Sequence, residues 1–317
     1  MIGFIFRRFL QAIVVIVGVL LIVFILAHII PGGAARAALG PRATKVQIAQ
    51  FNHLNHYDQP LVKQFWLYID GLVTSFNLGY SYHWNQGVTQ VILARLPKTL
   101  VLVGMGTLVA VIVAVPLGIL QVVRRNKPVD YVLTSLSFVF YAMPVFLLGA
   151  LLILYFSFDL HWFSSEAPQG ATVLSILSQP RSLVLPVFTL AALTIASFSR
   201  YMRSSMMETL TEDYVRTARA KGAGPRRVLY VHALRNAVIP IITLLGLSIP
   251  AIVGGALVTE ALFNYPGMGL LAYQAITNTD IPLLLGTTFF ATLATIAGSL
   301  LADILYAAVD PRIRYAK

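Results

Sequence analysis

Long apolar blocks separated by polar connections dominate the chain. Six blocks stand out, at residues 9–30, 99–123, 132–158, 183–199, 238–259 and 283–309. Each falls within or close to the roughly 17–25 residues that carry an α-helix across a hydrocarbon layer about 30 Å thick. The pattern predicts an all-α, multi-pass membrane protein with six transmembrane helices, and an even number of spans leaves both ends on one side. The block at 183–199 is the shortest and contains Pro186.

Charge orients these blocks. Arg7, Arg8, the bases at 124–127, those between 200 and 235 and those from 312 onward account for 16 of the 23 Lys and Arg residues. All lie on one side if the spans are as placed, and an excess of bases marks the cytoplasmic side. The remainder, Arg36, Arg42, Lys45, Lys63, Arg95, Lys98 and Arg181, fall on the other side, mostly in one long connection. The N- and C-termini are thus expected in the cytoplasm. Arg7 and Arg8 followed by apolar residues also resemble a secretory signal, with residues 34–38 as a decoy cleavage site. The apolar run at 9–30 exceeds the roughly 15 residues of a signal's apolar region, so a retained span is the reading.

Composition supports the membrane class and removes others. The chain is 58% hydrophobic and only 11% charged, against roughly a quarter charged in soluble domains. Its net charge of +11 is explained by topology, without nucleic acid. With no cysteine, thiol catalysis, disulfides, Cys-ligated zinc and iron–sulfur clusters are excluded. No GxxxxGK[ST], GxSxG or HExxH string occurs, so neither ATP hydrolysis nor hydrolase chemistry is expected of this chain.

Two connections are too long to be turns, the external one at 31–98 and the internal one at 200–237. The first mixes amphipathic stretches with aromatics and turn residues and reads as folded without being a separate domain. From within the second runs EDYVRTARAKGAGPRRVLYVHALRNAVIP, residues 212–240. Acids come early and bases late over 212–221, which suits the helix dipole; Gly222, Gly224 and Pro225 break the chain, and a helix resumes after them. Ala218, Ala220, Gly222 and Ala223 are small enough for another backbone to approach closely, and Arg219 and Lys221 can pair with acidic groups. The same bases also serve orientation alone.

In this segment, Arg216, Thr217, Ala218 and Gly222 occupy the positions of a Glu-Ala-Ala, three residues, Gly pattern. Glu and the first Ala are replaced, and Pro240 lies farther from Gly222 than the general pattern has it. The strings YVRTARAKG and HALRNAVIP resemble the version found in dipeptide, oligopeptide and nickel permeases, the integral-membrane subunits of binding-protein-dependent ABC importers. RLPKTL at 95–100, TEALFNYPGMGLLAYQAI at 259–276 and LADILYAAVDPRIRY at 301–315 extend the resemblance over most of the chain.

This resemblance implies a type I ABC importer permease fold, one transmembrane domain over 1–317 in a bacterial inner membrane. It implies a coupling contact made by Arg216, Thr217, Ala218, Arg219, Ala220, Lys221, Gly222 and Ala223 in a cleft of an ATPase subunit. The implied partners are a second homologous permease, two ATP-binding subunits, an extracytoplasmic substrate-binding protein and membrane lipid. The chain would bind no cofactor itself, ATP and Mg being held by the ATPase subunits, and would be no enzyme. Di- and oligopeptides lead as substrates, with nickel or glutathione-type solutes as alternatives. An ion-gradient-driven secondary transporter is the rival from another class. Few carboxylates within the spans and no evident inverted repeat stand against it.

Proline and glycine inside the spans, at Pro116, Gly118, Pro144, Gly149, Pro186, Pro250, Gly254 and Gly255, fit either kinks along a pathway or close helix packing. Pro144, Pro250, Gly254 and Glu260 are the pathway candidates. Glu260 can instead cap the exit of its span. Asp303, in the last span, favours a structural role, and His28 lies at an external boundary. Tyr80, Tyr82, Trp84, Trp162 and Phe163 suit interfacial anchoring better than receptor contact. His53, His56, His83 and His161 lie outside the spans without metal-ligand spacing.

Overall fold

The computed structural model describes residues 2–29 and 33–309, giving the helical backbone alone for residues 2–6, 243, 247–255 and 302–309. Among the described residues, α1 (Ile2–Ile29) is apolar almost throughout. Leu20, Phe24 and Ala27 are buried on one face, while Phe9, Val14 and Ile22 stay exposed on others, as for a helix meeting lipid or a neighbouring subunit. Three short helices follow: α2 (Gly33–Leu39), α3 (Lys45–Leu54) and α4 (Leu61–Ser75). Thr44 and Gln47 form a reciprocal capping box that starts α3, and Phe76 ends α4 in the left-handed region. The two-residue strands β1 (Tyr80–Ser81) and β2 (Gln86–Gly87) pair antiparallel, with Tyr80 opposite Gly87.

Helix α5 (Val88–Val123) has 36 residues, so the span expected at 99–123 is the far end of a longer rod. It is followed by α6 (Pro128–Ala142) and α7 (Val145–Leu152), which runs on as a π-helical segment, Ile153–Asp159. The block at 132–158, expected as one continuous span, is broken between α6 and α7 and bent by 108°. The cause is Pro144, which has no N–H to donate and drives Met143 into extended backbone (φ −76°, ψ 127°).

After α8 (Val173–Leu177) comes α9 (Pro180–Thr209), 30 residues long and well buried. It runs past both ends of the block at 183–199 and keeps Pro186 within the helix. The chain then forms α10 (Asp213–Ala220), α11 (Pro225–Arg227), a π-helical segment Val228–Ala233, α12 (Leu234–Ala237), α13 (Ile239–Leu262), α14 (Met268–Thr277) and α15 (Ile281–Val309). By length and apolarity, five helical runs among the described residues can cross a membrane, or six with the bent pair.

The core is organised in three apolar clusters along the bundle. One joins α1, α4, α5, α14 and α15 through Phe24, Leu72, Ile92, Leu271 and Leu283. A second gathers Leu102, Leu148, Leu183, Phe263 and Tyr265. The third, around Ala114, Phe198, Met202, Met206, Ala233 and Ile241, lies at the end where α10–α12 emerge. Helices α5 and α9 form the central pair. They approach closely because Gly118 carries no side chain: a Cβ there would lie 2.6 Å from Met202 Cβ and 2.8 Å from the Ser199 carbonyl oxygen. A Gly118→Val change is expected to overpack this contact and cost about 1–3 kcal/mol, read as a lowered thermal unfolding midpoint of the purified protein.

Candidate functional site

The segment singled out at 212–240 is a protrusion carried by α9. A short turn, Leu210 to Glu212, separates α9 from α10, closed by Thr211 Oγ1 donating to the Glu208 carbonyl (2.7 Å). Asp213 lies in the first turn of α10 and Arg219 in the last, matching the dipole. Val215 alone is buried on this helix. Arg216, Thr217, Arg219, Ala220, Lys221 and Gly222 are exposed, and Ala218 and Ala223 are half-buried. All eight residues named for coupling therefore sit on one projecting element. The Arg216–Asp213 pair (3.5 Å) is solvent-exposed and contributes little.

Gly222 adopts φ +83°. Its N–H donates to the Arg219 carbonyl (2.9 Å), and the Ala223 N–H donates to the Ala218 carbonyl (3.1 Å). This is a glycine-terminated helix end, which L side chains adopt poorly. Nothing lies within 4 Å of where a Cβ would stand, so the requirement for glycine inside this chain is conformational, and the space around it is open. The return path is held by burial of Ala233 and Ala237 in one cluster with Met202 and Met206, and Val228 is buried as well. Asn236 Nδ2 donates to Tyr214 Oη (2.7 Å), tying α12 to α10.

At the opposite end a cap forms from the segment preceding α5 together with α8 and α14. Glu260, in the last turn of α13, is fully buried. Its carboxylate accepts from Thr99 Oγ1 (2.6 Å) and from the backbone N–H groups of Gly269 (2.6 Å) and Leu270 (3.3 Å) in the first turn of α14. Thr99 Oγ1 in turn accepts from the Met268 N–H (2.7 Å). Tyr265 Oη donates to the Lys98 carbonyl (2.7 Å), and Lys98 Nζ donates to the Gly170 carbonyl (3.0 Å). A Cβ on Gly267 or Gly269 would run into the Glu260 carboxylate, and one on Gly269 also into the α13 backbone at Leu257. The string TEALFNYPGMGLL is thus a latch closing α13 on α14 and α5. The oxygens of Glu260 are satisfied and shielded within this chain.

The other pathway candidates are dispersed. Pro144 stands exposed at the break between α6 and α7. Pro250 and Gly254 lie on the backbone of α13, and their surroundings fall outside the described residues, as does the side chain of Asp303. His53 pairs with Asp58 (2.9 Å), while His28 lies against Gln64 (3.1 Å) and the Phe24 carbonyl (2.8 Å). No group of three metal-ligating side chains occurs among the described residues.

Tyr82 donates to Asn55 and Ser81 to the buried Asp280, which ties the hairpin to α3 and to the start of α15. Beside α1 and α15 the cap forms an open pocket of about 550 Å³ lined by Phe24, His28, Gln64, Tyr57, Tyr68 and Pro282 among others. Burial pushes the Tyr57 and Tyr68 phenols up, with Tyr82 and Asp280 adding to the effect at Tyr57.

Sequence patterns did not reveal the Ser81–Asp280 link or the Asp130–Arg203 ion pair (2.9 Å), because partners 199 and 73 residues apart leave no local signal.

The family described as binding-protein-dependent transport system inner membrane component matches residues 106–315, across α6, α9, the α10 protrusion and the latch. The chain belongs to this family. The N-terminal part of such membrane components matches residues 1–103. This inner membrane component is 36% identical to the oligopeptide transport system permease protein AppB of Bacillus subtilis, over 99% of this chain and all of that protein. It is 34% identical to the di/tripeptide transport system permease protein DppB of Pseudomonas aeruginosa, over the whole of both. Identity to the glutathione transport system permease protein GsiC of Salmonella typhi is 35%, over 99% of this chain and all of that protein. A solved chain of the MetNI methionine ABC transporter, inward-facing, is similar with a TM-score of 0.42 at 17% identity, over 68% of this chain and 97% of that one.

Proposed function

We propose that this chain is the permease subunit of an ATP-driven importer of di- and oligopeptides. The observation that carries the reading is full-length similarity to peptide permeases combined with a glycine-terminated helix projecting from the end of α9. The excess of bases puts both termini and the α10 protrusion in the cytoplasm and the cap outside. A second, related permease completes the pathway; two ATPase subunits, which hold ATP and Mg, receive the α10–Gly222 elements in their clefts; a substrate-binding protein delivers solute to the cap. Closure of the ATPases pushes α10, and α9 carries that displacement into the bundle.

Glutathione is the second reading, favoured by the GsiC relatives, and a chelated nickel ion the third. The test is uptake of labelled di- and oligopeptides into vesicles containing this chain and its partner subunits. Peptide uptake that requires ATP and is not competed by glutathione is expected. Uptake by this chain alone under an ion gradient would sink the reading and favour a secondary transporter.

A further inference from the structure

We propose that Asp130 and Arg203 form the linkage through which α9 drives the proline-broken span α6–α7 during transport. Arg203 Nε and Nη2 donate to the two oxygens of Asp130 at 3.0 and 2.9 Å, a two-pronged, charge-assisted contact that fixes orientation as well as distance. Asp130 is 2% exposed. Its Oδ2 also accepts from the Asn126 N–H (3.1 Å) in the α5–α6 turn, and its Oδ1 from Thr134 Oγ1 (3.4 Å), which accepts in turn from Gln121 Nε2 of α5 (3.4 Å). One carboxylate thus holds the end of α5, the turn after it and the first turns of α6 to α9.

Placement gives this cluster its direction. Arg203 lies six residues before the end of α9 at Thr209, about 9 Å along the axis, and α10 follows after a three-residue turn. A displacement delivered at α10 reaches Arg203 almost at once. Asp130 stands at the start of α6, whose other end is the break at Pro144, so a pull on Asp130 acts on a half-span at the end farthest from its hinge. Arg200 reinforces the grip further along α6, its guanidinium lying 5.0 Å from the Phe138 ring centroid and 4.4 Å from that of Tyr141.

Stability alone is a poor reason for this pair. Burying the Asp130 carboxylate costs desolvation, while the Arg203 side chain keeps 28% of its surface exposed, so the attraction is partly offset on one side and partly screened on the other. A contact that must keep its geometry while both helices move is better served by a forked ion pair than by apolar packing, which slides.

The inference rests on the transport reading, and one experiment separates the two. In the complete transporter reconstituted into vesicles, peptide uptake and peptide-stimulated ATP hydrolysis are measured together for the native chain, D130N and R203K. Both variants are expected to lower peptide transported per ATP by roughly fivefold or more while hydrolysis stays within about twofold of native. R203K keeps the charge and gives up only the fork, so it decides the matter if D130N does not reach the membrane. Uptake and hydrolysis falling by the same factor would mean a merely structural pair, and both staying at native levels would mean no role; either overturns the linkage. A native complex without ATP-dependent uptake would overturn the transport reading, and with it this deduction.

Discussion

Placing tryptophan at Gly222 should leave the chain in the membrane yet cut ATP-dependent uptake by roughly 100-fold, near the upper end of coupling between sites. The φ of +83° costs an L side chain about 1–2 kcal/mol, a modest burden for a helix end in open solvent. With nothing of this chain within 4 Å of the added Cβ, the large effect must come from what occupies that space in the complex. Asparagine separates the two contributions, since it tolerates the left-handed conformation. Gly222→Asn is expected to keep the turn and still lose most uptake, because its side chain stands where an ATPase wall would approach. Uptake at native levels in both variants, measured in vesicles with all partner subunits, would remove Gly222 from the coupling contact.

The second large effect concerns the latch. Glu260→Ala leaves the Thr99 hydroxyl and the N–H groups of Gly269 and Leu270 without their acceptor in a buried site. At about 1–3 kcal/mol for each of these buried groups left unsatisfied, a total loss of at least about 3 kcal/mol is expected. Glu260→Gln keeps one acceptor oxygen and should fall between. The check is the thermal unfolding midpoint of the purified protein followed by tryptophan fluorescence. A native midpoint for the alanine variant would show that α14 is held by its apolar contacts alone.

What was legible in the sequence follows from the range of the forces involved. Blocks of twenty apolar residues announce spans because the bilayer requires every backbone group to be bonded within the helix, and the α10 turn was readable because Gly222 and Pro225 act on their immediate neighbours. Pro144 was visible as an irregularity, but a bend of 108° depends on what α6 and α7 each pack against. Pro186 and Pro116, by the same local rule, lie within continuous helices, where surrounding elements support the backbone. Glu260 was visible as a costly carboxylate near a span boundary. Its partners appear only when α14 folds back to present two N–H groups to it, and the Asp130–Arg203 pair likewise appears only when α6 and α9 pack together.

The length of α5 bears on how the transporter meets its surroundings. The stretch from Val88 to Lys98 precedes the span expected from the sequence, yet Val88 and Ile92 pack in one cluster with Phe24 of α1 and with Leu285 and Phe289 of α15, residues that belong to the apolar blocks. This part of α5 is a seam of the bundle and no stalk above it. At 1.5 Å per residue the 36 residues of α5 run about 54 Å, well beyond a hydrocarbon layer about 30 Å thick, so tilt decides where its ends meet the headgroups.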